Sequence, residues 1–402
     1  MTRARALGIA ALLATPLPAQ ASGFLIYEQG PSALAQGGAF VARADDPSAI
    51  FYNPAGLADH QHFAVLVGGT GIITTTTASR LPPAGTSTDA QTRLFTPPTI
   101  YVSGPIGKRV AVGVGAFTQY GLGLTWPGQW VGGTRIVSAD ARSLNVNPTV
   151  AVQIRPGLYV GGGVSAVYGI FELRRNIDLV QGGGTVHLGG SAMAYGANAG
   201  LLWEVVPDHL RLGLAYRSAT HLHINDGKAD FTVPPEFGDL LHDQPVTAVV
   251  QTPHLLALAG SVRTGEHTWL SLDLVYATWQ SFQSLTFTFP QNTDLSTSEP
   301  QRWHNTLSVR AGGEWAVRGD LRIRAGAGYD ASPVPATTLS PVIPDSDRLL
   351  LSAGAAYDRG RLRMELGYMA VIFAQRSSSL TDFPARYDST GHVIGIALQY
   401  RR

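Results

Sequence analysis

Three kinds of residue in this chain have the types and spacing for chemistry. Asp45-Asp46 is an adjacent pair of carboxylates, the grouping that general acid–base work uses. His60-Gln61-His62 and His221-Leu222-His223 have i, i+2 spacing, which on a strand puts both rings on one face, where a metal ion could be held. Arg211, Arg217, Arg310, Arg322, Arg324 and Arg363 are cations inside otherwise apolar segments, suited to a carboxylate. Each signal is weak by itself. The carboxylates lie in a Gly- and Ala-rich segment and fit turn capping or a hydrogen bond to a neighbouring wall better than catalysis. Neither His pair has a third ligand in view, so no metal is expected. Gly163-Val164-Ser165 and Gly190-Ser191 lack a nearby His in sequence, so no nucleophile motif is present. Gly113-x-Gly115 and Gly121-x-Gly123 are not followed by the helix of a dinucleotide fingerprint. The chain reads as a non-enzyme without a cofactor.

The elements that would position these residues are strands. The leading 21 residues have the form of a secretory signal: Arg3 and Arg5, an apolar run from Ala6 to Leu17, and the small-x-small site Ala19-Gln20-Ala21. The expected mature start is Ser22. The apolar run falls short of the roughly 20 residues of a spanning helix, and no later stretch supplies one. Cysteine is absent, which excludes a disulfide framework and thiolate chemistry. The formal charge is only +1, so nothing points to nucleic acid. Charged residues make up 14%, well below the quarter or so usual in a soluble domain. Low charge, 46 glycines and period-two alternation point to an outer-membrane barrel.

The alternation is regular. Val110, Val112 and Val114 oppose Ala111, Gly113 and Gly115; Leu210, Leu212, Leu214 and Tyr216 oppose Arg211, Gly213, Ala215 and Arg217. Similar segments centre on Val309, Ile323, Leu366 and Ile396. Tyr216, Trp315, Tyr329, Tyr357, Tyr368 and Tyr400 sit near strand ends on the apolar face, as an interfacial girdle requires. Tight connections near Gly107, Pro156-Gly157, Pro207-Asp208, Gly265, Gly319-Asp320 and Arg359-Gly360 alternate with longer loops at about 81–91, 120–136, 177–183, 227–245, 290–300, 333–346 and 376–387. Short periplasmic turns and longer external loops joining fourteen antiparallel strands account for this pattern. A sheet in hydrocarbon must close, because no water is there to satisfy a free edge. The expected fold is therefore all-β: a 14-stranded transmembrane barrel over 62–402, with an N-terminal plug over 22–61 behind a signal over 1–21. Strand three is interrupted at Phe117-Thr118-Gln119-Tyr120-Gly121-Leu122-Gly123, where glycine permits a bulge.

Several motifs then resemble one family. Ser22-Gly23-Phe24, Ala44-Asp45-Asp46, Asn53-Pro54-Ala55-Gly56, Gln119-Tyr120-Gly121-Leu122, Pro333-Val334-Pro335, Pro344-Asp345-Ser346-Asp347-Arg348 and Leu366-Gly367-Tyr368 resemble the FadL family of outer-membrane transporters for hydrophobic compounds. The resemblance implies a hatch inside a 14-stranded barrel. It implies uptake of long-chain fatty acids, or alternatively monoaromatic hydrocarbons, by diffusion with lateral exit into the membrane. It places Asn53, Pro54 and Ala55 beside the strand-three kink at Gln119, Tyr120 and Gly121. It also sends the N-terminal segment Ser22, Gly23, Phe24 and Leu25 into the substrate pocket.

Two features depart from the family. The loop at 177–183 is short, which leaves external capture to Phe231, Phe237, Leu240 and Leu241 of the next loop. The chain ends Tyr400-Arg401-Arg402 rather than on an aromatic residue. Expected partners are hydrophobic small molecules, outer-membrane lipid and lipopolysaccharide, with no nucleic acid, and the barrel is expected as a monomer. An outer-membrane lipid hydrolase and a general porin are the rival readings. The inward arginines are expected to pair mostly with Glu314, Glu365 or Asp273 across the lumen.

Overall fold

The computed structural model describes residues 23–60, 62–180 and 182–402. The expected signal and Ser22 lie outside the described residues. One antiparallel sheet closes on itself as a 14-stranded barrel. Its strands are β1 (Ala64–Arg80), β2 (Pro98–Ile106), β3 (Val110–Phe117, resuming at Gly121–Thr125), β4 (Ser138–Arg155), β5 (Leu158–Asp178), β6 (Gly183–Val206) and β7 (Leu210–Arg217 and His221–Thr232). They continue as β8 (Gln244–Gln251 and Leu255–Thr264), β9 (Thr268–Ala277 and Ser284–Thr288), β10 (Thr297–Pro300 and Thr306–Arg318), β11 (Leu321–Asp330), β12 (Arg348–Arg359), β13 (Leu362–Phe373) and β14 (Ala385–Arg401). Closure is made by β1 on β14, in register from Ala64↔Arg401 to Arg80↔Ala385.

The period-two pattern decides which side each residue faces. Leu212, Leu214, Leu366, Ile394 and Ile396 are exposed on the outer wall, while Arg217, Arg310, Arg324 and Glu365 are buried inside it. A one-residue slip would exchange these sets, so the pattern fixes the register. Outward aromatics fall in two rows. Tyr168, Tyr195, Tyr216, Tyr276, Tyr329 and Tyr368 lie towards the long connections; Trp203, Trp315, Tyr357 and Tyr400 lie near the short turns. Two girdles bound an apolar band, as interfacial aromatics do.

Several expected loops prove shorter than the sequence suggests. Gly121–Thr125 pairs with β4, β7 runs on to Thr232, and Ser284–Thr288 pairs with Thr297–Pro300. Pairing continues outside the apolar band, where polar residues such as Lys228 and Asp230 can face water on strand positions. Polarity marked these stretches as loops, but polarity alone does not end a ladder.

The segment from Gly23 to His60 contributes only one isolated bridge to the sheet and contains α1 (Pro31–Leu34), α2 (Ala49–Tyr52) and a 3-10 turn at Pro54–Asp59. It is buried almost throughout. Asn53 starts the turn: its side-chain oxygen accepts from Ala55 N at 3.2 Å, and Pro54 at the first position gives up an amide that would have no partner there.

Candidate functional site

The segment is tied to inward-facing residues around the wall. Asp273 on β9 accepts from Phe40 N and Val41 N, both at 2.8 Å. Ser32 donates to Glu365 on β13 at 2.8 Å, and Ser352 on β12 donates to Ala35 O at 3.1 Å while accepting from Gly37 N. Close approach is possible because glycines line the wall there. A Cβ on Gly326 would stand 2.1 Å from Gln36 C, and one on Gly312 would stand 2.3 Å from Gln36 O.

Asn53, Pro54 and Ala55 dock in the same way, but on β5 and β6. A Cβ on Gly200 would lie 2.1 Å from Asn53 Oδ1, and one on Gly161 would lie 2.5 Å from Pro54 C. The Asn53 amide donates to Leu201 O at 3.1 Å and to Val41 O at 3.0 Å. These contacts are with β5 and β6 rather than with the strand-three kink that the resemblance assigned to them. The sequence separation between the two motifs carried no information about which wall position each would meet.

The kink is met instead by the chain's N-terminal residues. The β3–β4 ladder stops at Phe117↔Asn145 and resumes at Gly121↔Arg142. Opposite the break, Ile26 N donates to Gln119 O at 2.8 Å, Gly121 N donates to Phe24 O at 3.0 Å, and Leu25 bridges Tyr120. Gln29 Nε2 donates to Thr118 O at 2.6 Å. Phe24–Ile26 thus acts as a short inner strand on the interrupted part of β3. Each such bond contributes about 1 kcal/mol net, and more is lost when a buried group is left unmade.

Phe24 is the centre of an aromatic cluster. Its ring lies 4.9 Å from Trp279, 5.8 Å from Tyr120, 5.8 Å from Trp303 and 5.9 Å from Phe282. Two cavities share Phe24, Asp140 and Ile343 in their walls. The smaller, about 110 Å³, is lined by Phe171, Leu188, Ile224, Val250, Leu285 and neighbouring apolar groups. The larger, about 480 Å³, carries Arg93, Arg142 and Arg348 together with Glu28, Asp140, Asp330 and Asp345, beside Ile72, Leu94 and Val371; Arg93 and Arg142 pair with Asp140, and Arg348 with Asp345. Arg348 donates to Gly23 O and to Asp345, both at 2.8 Å, so it fixes the start of the segment at the cavity wall. Trp279, Phe282, Trp303 and Arg348 were not singled out as site residues from sequence. Arg348 stood in a motif whose chemistry was unread, and the aromatics interrupt β9 and β10 where the alternation is lost.

Five of the six inward arginines meet carboxylates. Arg310 pairs with Asp330 at 2.8 Å, Arg324 with Glu314 at 2.8 Å, Arg211 with Asp59 at 2.9 Å, and Arg363 and Arg322 share Asp358. Arg217 has no carboxylate within 4.0 Å among the described residues. It donates to Ile50 O and Phe51 O, both at 3.2 Å, at the end of α2, and lies over the Phe51 ring at 5.0 Å.

Asp45 and Asp46 have different surroundings. Asp45 pairs with Arg43. Burial alone would raise its pKa, but Arg43, Arg324 and Arg363 hold it below the usual carboxylate range. Asp46 caps a turn, accepting from Ser48 N at 2.7 Å and Ser48 Oγ at 2.5 Å. Burial, with Glu365 nearby, pushes it up to about 7. His60 and His62 stack 6.2 Å apart, and no group of three metal-ligating residues occurs among the described residues. Of the expected capture residues, Leu240 is exposed and Phe237 half-buried, but Leu241 is buried and Phe231 packs on Phe289.

Known proteins share this architecture. A Pseudomonas aeruginosa FadL homologue superposes with a TM-score of 0.84 at 20% identity, covering 94% of this chain and 99% of that one. The Pseudomonas putida toluene transporter TodX gives 0.78 at 18% identity, covering 95% and 99%. In sequence, the long-chain fatty acid transport protein of Escherichia coli strain CFT073 is 26% identical over 294 residues, 65% of each chain. Residues 11–402 match the family described as outer membrane protein transport protein (OMPP1/FadL/TodX). A closed antiparallel barrel of low charge, an inner segment bonded to an interrupted third strand, and a match over nearly the whole chain lead to one conclusion: the chain belongs to this family of outer-membrane transporters for hydrophobic compounds.

Proposed function

We propose that the chain takes up long-chain fatty acids by diffusion, with residues 22–61 acting as a hatch in the barrel formed by 62–402 after removal of residues 1–21. The observation that carries the substrate class is the pair of cavities meeting at Phe24. An acyl chain suits the apolar lobe, and its carboxylate would take the place of Asp140 or Asp345 on Arg93, Arg142 or Arg348 in the other. Moving the N-terminal segment off Gln119 and Gly121 would free the strand-three break as the lateral exit. A dry path avoids hydrating an apolar solute on the way through.

Leu240 and Phe237 are the external capture residues in this reading, and the barrel works as a monomer among outer-membrane lipid and lipopolysaccharide. No catalytic step and no cofactor take part. A second reading, monoaromatic hydrocarbon, is favoured by the smaller lobe alone, whose lining is almost wholly apolar.

Uptake of radiolabelled oleate and toluene by cells lacking their own transporter, with surface levels matched, separates the two. Oleate uptake that falls when Arg348 is changed to Met supports the fatty-acid reading. Toluene uptake alone supports the second, and uptake of neither contradicts both.

A further inference from the structure

The strand-three kink is not the only break in the wall. The β5–β6 ladder is continuous from Leu158↔Trp203 to Asp178↔Gly183. The β6–β7 ladder is not. It runs from Leu210↔Val206 to Arg217↔Asn198, and then only from Lys228↔Gly189 to Thr232↔Thr185. Between these ladders, residues 190–197 of β6 face 218–227 of β7. Among the described residues one backbone bond joins them, Ser218 N to Ala197 O at 2.8 Å, backed by Ala197 N to Ser218 Oγ at 2.9 Å. Over the same stretch β7 stays on β8, from His221↔Gln251 to Ile224↔Ala248. The sheet is therefore parted on one side only.

Side chains close most of this slot, with backbone contact at its outer end, where a Cβ on Gly190 would lie 3.1 Å from Gly227 Cα. Ile224 covers Gly190, where a Cβ would lie 2.5 Å from Ile224 Cγ2. Leu222 covers Gly169, where a Cβ would lie 3.0 Å from Leu222 Cδ2. Ala192 and Ala194 on β6 are small, and they cluster with Leu222, Ile224, Ala248 and Val250, touched from within by Phe24. Ile224, Ala248 and Val250 also line the apolar lobe. On the outer wall, Met193 and Tyr195 of β6 are exposed beside Tyr168 and Ile170 of β5. On the β7 side the outward residues are His221, His223, Asn225 and Asp226, all beyond Tyr216, so the slot begins at the external girdle and extends above the apolar band, with the apolar lobe behind it.

Barrels normally leave no strand edge unpaired, and this parting sits at the external girdle. Opening here breaks no ladder. It needs rotation of Leu222 and Ile224, a motion far faster than strand separation. We propose that the β6–β7 slot is a second portal through the wall, through which an apolar chain or ring passes between the membrane surface at the external girdle and the lobe beside Phe24. This rests on the transport reading above and adds a path distinct from the strand-three break.

The absence of native cysteine makes a direct test possible. Gly190→Cys with Ile224→Cys puts sulfur where Ile224 Cγ2 now meets Gly190, within reach of a disulfide across the slot. Cells carrying the native protein, the oxidised pair or the reduced pair would be compared for radiolabelled oleate and toluene uptake, with folding checked by heat-modifiable gel mobility. The expected result is a several-fold fall on oxidation and recovery on reduction. A second variant, Leu222→Ala with Ile224→Ala, should speed uptake at least twofold. Equal uptake by the oxidised and reduced pairs overturns the portal while leaving transport intact. If the pair does not fold, an unchanged rate in the double alanine variant overturns it. No uptake of either compound by the native protein removes the transport reading and the portal with it.

Discussion

The backbone amide of Gly121 donates to the carbonyl oxygen of Phe24 at 3.0 Å. A residue two positions past the expected start of the mature chain thus completes the hydrogen bonding of a broken wall strand. The same residue lines both cavities. Pocket occupancy and the lateral break are linked through one residue. In the proposed transport reading, displacing the Phe24 ring would release Gly121 in the same motion.

Hydrogen exchange should report that motion. The amides of Ile26 and Gly121 are bonded in the resting state and should be protected. Adding oleate to the purified protein should lower protection at both by several-fold, while the amides of β14 stay unchanged.

Replacing Phe24 with Ala removes its ring from contact with Tyr120, Trp279, Phe282 and Trp303. The ring is half-buried, so docking of the segment should weaken by about 2 kcal/mol, below the range for a fully buried Phe. Tryptophan emission should shift to the red in the variant, since Trp279 and Trp303 lose their cover. Oleate affinity should fall in the same titration.

Gly200→Val should unseat the segment without opening the barrel. A Cβ at this position would stand 2.1 Å from Asn53 Oδ1 and 2.9 Å from Pro54 Cδ. The variant is expected to fold, to run as a heat-modifiable barrel, and to admit small sugars in a liposome-swelling assay where the native protein does not.

Asp46 supplies a pH dependence. Its folded pKa, about 7, exceeds the unfolded value near 3.9, so its contribution to segment stability is full at acid pH and is lost as pH rises through 7. Asp45 has the opposite sign, being depressed when folded, but its contribution is lost only on acidification below the usual carboxylate range. Between pH 5 and about 8, loss on raising pH comes from Asp46 together with Glu28, which burial also raises, while burial lowers His60 and gives it the opposite sign. Protection of amides near residues 46–52, corrected for intrinsic exchange, should carry the Asp46 share of this dependence, a fall as pH rises through 7, and Asp46→Asn should remove that share.

The wall was legible because its rule is local. Alternation at Leu210–Arg217 or Leu362–Tyr368 states which side faces lipid, and glycine-marked turns set strand number. The site was less legible because its partners are far apart. Gly161 and Gly200 look like ordinary small lumen positions until Asn53-Pro54 is seen against them. Phe24 meets Trp279 and Trp303 from strands whose alternation fails at those residues. The β6–β7 parting left no mark, since 190–197 alternates as cleanly as a paired strand does.

In the proposed transport reading, the N-terminal segment must leave the strand-three break for substrate to pass. Leu25 and Tyr120 form the bridge between them, and a cysteine pair at these positions would be the sole thiols in the chain. Radiolabelled oleate uptake should be measured for Leu25→Cys with Tyr120→Cys, oxidised and reduced, at matched surface levels. Uptake is expected to fall at least tenfold in the oxidised form and to recover with reductant. Equal uptake in the two states would contradict it, because passage would then proceed with the segment still fastened to the wall.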